Sequence, residues 1–366
     1  MAGNIPTVYD VAEAAGVSTA SVSRFFRSPE KVRPATQEAI RAAVEELGYI
    51  PSGLARGLAE RHSGVIGMYS FSDHEPDELE MPVHPARGDV PVIRESSMPQ
   101  RSYPLFADEV LHGVELECML RRLPLALGWQ RRNSGGVSLD EIARRVDGLV
   151  VLPGVMSPSA LKQLARTKPI VLVSQQPETP VPVSTVTVDN EGGMRRLAEH
   201  LISDHGHHSF WVAGPVDDFD RSARYRGLLK AVAEAGLEPP GGTELREARL
   251  RSDTRSRLAD LLAGADRPEL PDVIVCTNDQ IALGVIEALT AAGIRVPDDV
   301  AVTGFDGIDA GRFVTPGLTT VRQPMNMIGR VAVQLLANQM TENPPECEHR
   351  VLDVDVLVRG SCGCTP

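Results

Sequence analysis

Short polar side chains and cations near the N-terminus carry the most telling chemistry of this sequence. In Ser18-Thr-Ala-Ser-Val-Ser-Arg24, the pattern places Thr19, Ala20, Ser21, Ser23 and Arg24 on one short helix. Short side chains suit contacts to a thymine methyl or water-bridged contacts to base edges, while an arginine reaches a phosphate or a guanine. In a helix-turn-helix such residues lie on the second helix, the one laid in a DNA major groove. Farther along, Asp189, Asn278 and Asp306 each follow an apolar run, where carboxylates and amides can hold a ligand rich in donors and acceptors. The sequence has no P-loop, no Gly-x-Ser-x-Gly elbow, no His-Glu-x-x-His and no Gly-x-Gly-x-x-Gly opening a helix. No catalytic residue, metal or cofactor is therefore expected.

The elements that must position the first set are legible. Thr7 can cap a helix through its hydroxyl, and Val8, Val11, Ala12 and Ala15 repeat at helical spacing behind it. Gly16 sits where that helix must stop, and Val17 is placed in the angle that follows. Ser18 caps the second helix, with Val22 and Phe25 inward. A third helix runs from about Pro34 to Leu47, with Ala35, Ile40, Ala43, Val44 and Leu47 as its buried stripe and Gly48 as its end. This is a helix-turn-helix; the plain alternative is an αα-hairpin that binds no nucleic acid.

Net charge does not advertise DNA binding. Residues 1–62 hold seven Lys/Arg and seven Asp/Glu, so the net charge of −12 lies entirely in the rest of the chain. Position matters more. Arg24, Arg27, Lys31 and Arg33 cluster at the end of the second helix and the loop after it, whereas Glu38, Glu45 and Glu46 lie on the third helix. An acidic body opposes non-specific adhesion to DNA and leaves discrimination to a few well-placed cations.

At 366 residues, 42% of them hydrophobic, the chain is expected to form two or three globular domains. No apolar run is long enough to span a bilayer and no basic-then-apolar leader opens the chain, so a cytoplasmic location is expected. Five cysteines, an odd number, argue against a disulfide framework. Cys362-Gly-Cys364 can bind metal or change redox state, but a frayed tail of exposed thiols is the expectation, because no second ligand pair is near in sequence.

From Gly64 the pattern becomes α/β. Apolar runs at 65–69, 125–129, 148–152, 169–173, 183–188, 209–213, 273–276 and 300–303 read as strands. Amphipathic stretches at 105–120, 139–146, 158–166, 191–204, 221–235 and 279–292 read as the helices between them. Such alternation predicts parallel sheets.

The order Tyr9-Asp-Val-Ala, Gly-Val-Ser, Val-Ser-Arg24, then Gly-Tyr-Ile-Pro51 and Leu-Ala-Arg-Gly-Leu58 resembles the LacI/GalR family of transcriptional regulators. The resemblance implies a helix-turn-helix headpiece over 1–50, a hinge helix over 51–62 and a two-lobed core like that of periplasmic binding proteins over 63–366. Within the core it implies an N-lobe of about 63–205 and 324–343 and a C-lobe of about 206–322 and 350–360. The chain is expected to cross between lobes near 205–207, 322–324 and 344–350.

The same resemblance implies roles. Thr7, Ser18, Thr19, Ala20, Ser23, Arg24, Arg27, Tyr49, Ser52, Ala55 and Leu58 are expected at DNA, with Leu58 as the wedge that opens a minor-groove step. Arg27 stands where many members carry Asn, and Gly53 and Gly57 weaken a hinge expected to order only on DNA. Tyr69, Phe106, Asp189, Arg224, Asn278, Asp306 and Gln323 are expected to face an effector between the lobes, with Trp129 another candidate to stack on a sugar. Arg224 holds the family's Arg-x-x-Gly position.

The function implied is a homodimeric repressor reading a near-palindromic operator under control of a small molecule, expected to be a carbohydrate, with a purine or nucleoside as the other class. A cytosolic solute receptor or an enzyme on the same fold is the alternative. About thirty acidic, proline-rich residues near 72–104 read as an insertion, expected to be a surface loop. His205, His207 and His208 resemble a metal cluster, but the family has a Gly-His at this turn, and a surface loop is the expectation.

Overall fold

The computed structural model describes residues 6–49, 63–72, 105–131, 138–264 and 268–365. The expected hinge residues Ser52, Ala55 and Leu58, and the insertion beyond residue 72, lie outside them. The chain divides into two compact units, Met1–Gly64 and Val65–Pro366.

The first unit contains α1 (Val8–Ala14), α2 (Thr19–Arg27), a 3-10 turn (Pro29–Lys31) and α3 (Pro34–Leu47). Thr7 and Asp10 form a capping box: the Thr7 amide donates to Asp10 Oδ2 at 2.7 Å, and the Asp10 amide donates to Thr7 Oγ1 at 3.4 Å. Val11, Ala12, Val22, Ile40 and Ala43 make a small buried core, with Val17, Phe25, Phe26 and Tyr49 packed around it. Ala35, expected in the stripe of α3, is exposed on its first turn; Val32, just before the helix, is buried. Gln37 accounts for that geometry, because its amide donates to the carbonyls of Pro29 and Val32 and holds the 3-10 turn against α3.

The second unit carries two sheets. Strands β1 (Ile66–Ser72), β2 (Leu125–Arg131), β3 (Gly148–Val151), β4 (Ile170–Val173), β5 (Ser184–Val188) and β10 (His349–Leu352) form the first, in the order β10-β5-β4-β3-β1-β2. All its pairings are parallel. Strands β6 (Phe210–Ala213), β7 (Val273–Cys276), β8 (Ala301–Asp306), β9 (Thr319–Arg322) and β11 (Asp355–Leu357) form the second, in the order β11-β9-β8-β7-β6, with β11 antiparallel at one edge. Helices α4 (Leu105–Arg121), α5 (Leu139–Ala143), α6 (Pro158–Leu164) and α12 (Met325–Gln339) accompany the first sheet. Helices α7 (Asn190–Ser203), α8 (Phe219–Glu234), α9 (Arg251–Ala263), α10 (Asp279–Ala291) and the short α11 (Ala310–Phe313) accompany the second. Among the described residues no helix is long and apolar enough to cross a membrane.

Sheet membership corrects two of the expected crossings. Helix α7 packs on α8 and on strands β9 and β11, so the chain leaves the first lobe at Asp189–Asn190, not near 205. The last crossing falls between β10 and β11, at Asp353–Val354, instead of 344–350, because β10 pairs with β5. Residues 349–352 therefore belong to the first lobe. The middle passage lies between β9 and α12, and α12 packs on α4 and the first sheet. The largest apolar core is continuous through these passages, joining Val186, Val188, Met194, Phe305 and Val321.

Candidate functional site

In the first unit the polar face of α2 is open. Ala20, Ser23 and Arg24 are exposed and Thr19 is half-buried, while Val22 is buried beneath them. Thr7 and Ser18 cap α1 and α2, and Ser18 accepts from the Ser21 amide at 3.2 Å. Arg27 closes α2, and its side chain lies outside the described residues. Tyr49 is turned largely inward, its ring 6.0 Å from Phe26. Tyr9, absent from the expected set, presents its ring on α1 at 72% exposure.

In the second unit a buried polar network gathers at the carboxyl ends of β5, β7, β8 and β9, where open α/β sheets hold ligands. Arg224 of α8 is its centre. Its Nε donates to Asn190 Oδ1 at 2.8 Å and its Nη1 to the Thr277 carbonyl at 2.6 Å. Nη1 also lies 3.5 Å from Asp306 Oδ1, Nη2 lies 4.0 Å from Asp220 Oδ2, and the guanidinium sits 3.8 Å over the Phe305 ring. The Asn190 amide turns its nitrogen to Asp220 Oδ1 at 2.9 Å. Gln323 donates to Asp306 Oδ1 at 2.7 Å. The local reason for the Arg-x-x-Gly spacing is steric: a Cβ on Gly227 would meet the Glu191 carbonyl at 2.2 Å. Only glycine there lets α8 approach α7 closely enough to join Arg224 to Asn190.

Burial dominates the electrostatics. It raises the Asp220 carboxyl to about 6, against the pull of Arg224. Burial likewise raises Asp306, opposed by Arg224 and the Gln323 bond, and raises Asp279, with the charge of Asp306 adding to it. Asp306 also has φ 125, a costly conformation for a non-glycine residue and one that concentrates at ligand sites. Among the described residues, Gln323 Oε1 and Thr277 Oγ1 are buried without a hydrogen-bond partner.

Of the residues expected at an effector, Arg224, Asp306 and Gln323 meet in this network. Asp189 does not: it is exposed and caps α7, accepting from the Gly192 amide at 2.8 Å, and its neighbour Asn190 takes the inward place. Asn278 caps α10 by accepting from the Ile281 amide at 2.9 Å. Tyr69 buries its ring in the core with Ile142, Leu149 and Val151 instead of offering it to a ligand. Phe106, in the first turn of α4, packs partly buried against the large core. Trp129 is 45% exposed on edge strand β2. Asp220 was not expected here, and Asn190 is the neighbour of the expected Asp189. The signal for Asp220 is helical phase, since it lies one turn before Arg224 on the same face of α8.

The tail is not frayed. Ser361 Oγ donates to the Val302 carbonyl and accepts from the Thr319 amide, and Cys362 is buried. This anchoring carries Cys362 and Cys364 to His200 and His205 at the end of α7.

A family model for bacterial regulatory proteins of the lacI family matches residues 7–52, and one for a periplasmic binding protein-like domain matches residues 198–362. The chain is 30% identical to the HTH-type transcriptional repressor PurR of Pasteurella multocida (strain Pm70), over 97% of this chain and 98% of that protein. It resembles the crystal structure of the lac repressor dimer bound to operator and the anti-inducer ONPF, with TM-score 0.76 and 23% identity over 98% of this chain and 99% of that one. The transcriptional regulator CelR in complex with cellobiose gives TM-score 0.64 and 27% identity over 97% and 99%.

Proposed function

The chain belongs to the LacI family of bacterial transcriptional regulators, and from that premise we propose how this small-molecule-controlled DNA-binding protein reads its operator and its signal. Two headpieces of a homodimer read two half-sites of a near-palindromic operator. Ala20 and Thr19 meet base edges, Ser23 and Arg24 anchor the register, and Thr7, Ser18, Arg27 and Tyr49 border the backbone. Ser52, Ala55 and Leu58 form the minor-groove hinge. The protein acts as a repressor, with no catalytic step of its own.

The effector binds between the lobes at the Asn190–Asp220–Arg224–Asp306–Gln323 network, which is the observation that carries this reading. Carboxylates outnumber the single guanidinium there, and two buried oxygens are unpartnered. A ligand that donates many hydrogen bonds fits that balance, and a sugar hydroxyl both donates and accepts. The cellobiose complex of the related CelR supports a carbohydrate. The effector acts through unequal affinity for two arrangements of the lobes.

The test is a salt titration of binding to DNA upstream of the chain's own and neighbouring genes, with and without panels of sugars and nucleosides. Tight, salt-sensitive binding to a near-palindrome that one sugar alters at least tenfold is expected. A response to nucleosides alone overturns the carbohydrate assignment. Binding indifferent to every compound overturns effector control through this network.

A further inference from the structure

Away from that network, His200 in the last turn of α7, His205 in the turn beyond it, and Cys362 and Cys364 in the C-terminal tail bring one ligand atom each within 4.8 Å of one another. The pairs are separated by about 160 residues of chain, so no local motif accounts for the meeting. His200 Nε2 and His205 Nε2 are 3.3 Å apart. Cys364 Sγ lies 3.6 Å from His200 Nε2 and 3.3 Å from His205 Nε2, and Cys362 Sγ lies 3.8 Å from His200 Nε2.

Those distances can be compared with a regular tetrahedron. With metal–nitrogen bonds of about 2.0–2.1 Å and metal–sulfur bonds of about 2.3 Å, its edges are about 3.4 Å between nitrogens and about 3.6 Å between nitrogen and sulfur. Those four edges fall within about 0.3 Å of these values, and the two that complete the tetrahedron, from Cys362 to Cys364 and to His205, lie within 4.8 Å. We propose that His200, His205, Cys362 and Cys364 form a tetrahedral zinc site that fastens the C-terminal tail to the end of α7.

Three further features fit. The outer nitrogen of His200, Nδ1, lies 2.7 Å from Asp204 Oδ2, the carboxylate–histidine arrangement that fixes the tautomer leaving Nε2 free for a metal. Two thiolates and two neutral imidazoles balance the charge of a divalent ion, and mixed sulfur and nitrogen donors in tetrahedral array select zinc. Gly363 has φ 99 between the two cysteines, and a Cβ there would lie 3.5 Å from the His205 ring. The turn that points both thiols one way therefore favours glycine. The tail is held independently by Ser361, so the sulfurs are positioned before any ion arrives. Because α7 begins at Asn190, the ion would tether the far end of the helix that supports Arg224.

The experiment uses the full chain, purified without a histidine tag or chelator, and measures metal content by mass spectrometry. About one zinc per chain is expected. Cys364→Ser and His205→Gln should each lower that content at least tenfold, while Cys347→Ser, at a cysteine outside the cluster, retains it. Cobalt added to the stripped, unsubstituted chain should give the visible bands of a tetrahedral ion and thiolate-to-cobalt charge transfer; this readout stands even where a variant fails to fold. Stoichiometric copper or iron in place of zinc overturns the assignment. So does zinc unaffected by the substitutions, or an unsubstituted chain that holds no metal and gives no tetrahedral cobalt spectrum.

Discussion

Asp220→Asn should stabilise this protein at neutral pH and do nothing for it in mild acid. Asp220 is buried beside Arg224, yet the guanidinium stands 4.0 Å away and its close bonds go to Asn190 and Thr277. Desolvation therefore wins, and the carboxyl rises from 3.8 to about 6. At about 1.4 kcal/mol for each tenfold change in proton affinity, keeping it ionised costs the folded state about 3 kcal/mol above pH 6. The folded chain holds this proton more tightly than the unfolded chain, so stability falls as pH rises from 3.8 to 6. Below 3.8 the cost is absent.

The asparagine keeps the shape and one acceptor for the Asn190 amide, but it turns a donor toward Arg224, a loss of about 1 kcal/mol. The net gain is about 2 kcal/mol at pH 7.5 and close to zero at pH 4.5. For a cooperative unit of about 300 residues that gain is about 3 °C in melting temperature. Thermal and urea melts of both proteins at the two pH values make the measurement. A gain of equal size at both would refute the reasoning, since it means that Asp220 ionises alike in the folded and unfolded chain; so would a loss that deepens at pH 7.5, since it means that the Arg224 charge outweighs burial.

Arg224→Met removes the one cation from a buried group of carboxylates and should destabilise by about 3–5 kcal/mol, read as a fall in urea midpoint. Arg224→Lys should recover only part of it, because one ammonium cannot span Asn190 and Thr277 as the guanidinium does. Gly227→Ala places a methyl against the Glu191 carbonyl and should cost at least about 2 kcal/mol, with effector response lost alongside stability; an unchanged melt would contradict the close approach of α7 and α8. Thr7→Ala removes the hydroxyl cap of α1 and should cost the headpiece about 1 kcal/mol, seen as weaker operator binding with an unaltered core melt.

Strands β9, β10 and β11 were not expected, since the first is threonine-rich and the other two are largely exposed; β3, β4, β7 and β8 were legible because each buries both faces and leaves no polar alternation to misread. Helix α9 was missed for the opposite reason. It shows arginines, serines and aspartates, and buries only Thr254, Leu258 and Leu262 on one narrow face. The crossings at 189–190 and 353–354 were misplaced because an amphipathic pattern says that a helix has a buried face but not which sheet covers it. The tail defeated local reading altogether: Cys362 looks like a frayed thiol until β8 and β9 bring Ser361 to Val302 and Thr319. In the site itself, Asp189-Asn190 and Asn278-Asp279 pose the same ambiguity. Both members of each pair can cap a helix or turn inward, and half a turn of backbone decides between them.

Burial alone does not tell a structural carboxylate from one with capacity for a ligand, as Asp279 and Asp306 illustrate. Both are buried, and burial pushes both carboxyls up. Asp279 accepts from the amides of Gly307 and Ile308 and from the Thr320 hydroxyl, at 2.8, 2.9 and 2.6 Å. Its oxygens are committed to the loop that follows β8 and to Thr320 of β9. Asp306, immediately before that loop, accepts one amide bond from Gln323 and lies 3.5 Å from Arg224. Its backbone is held in a conformation that a relaxed chain avoids. Asp279 therefore fixes the loop that imposes strain on Asp306, and Asp306 retains acceptor capacity beside a guanidinium and an unpartnered amide oxygen. That division, one acid spent on geometry and the next left available, is the arrangement expected where a rigid scaffold presents a carboxylate to an effector.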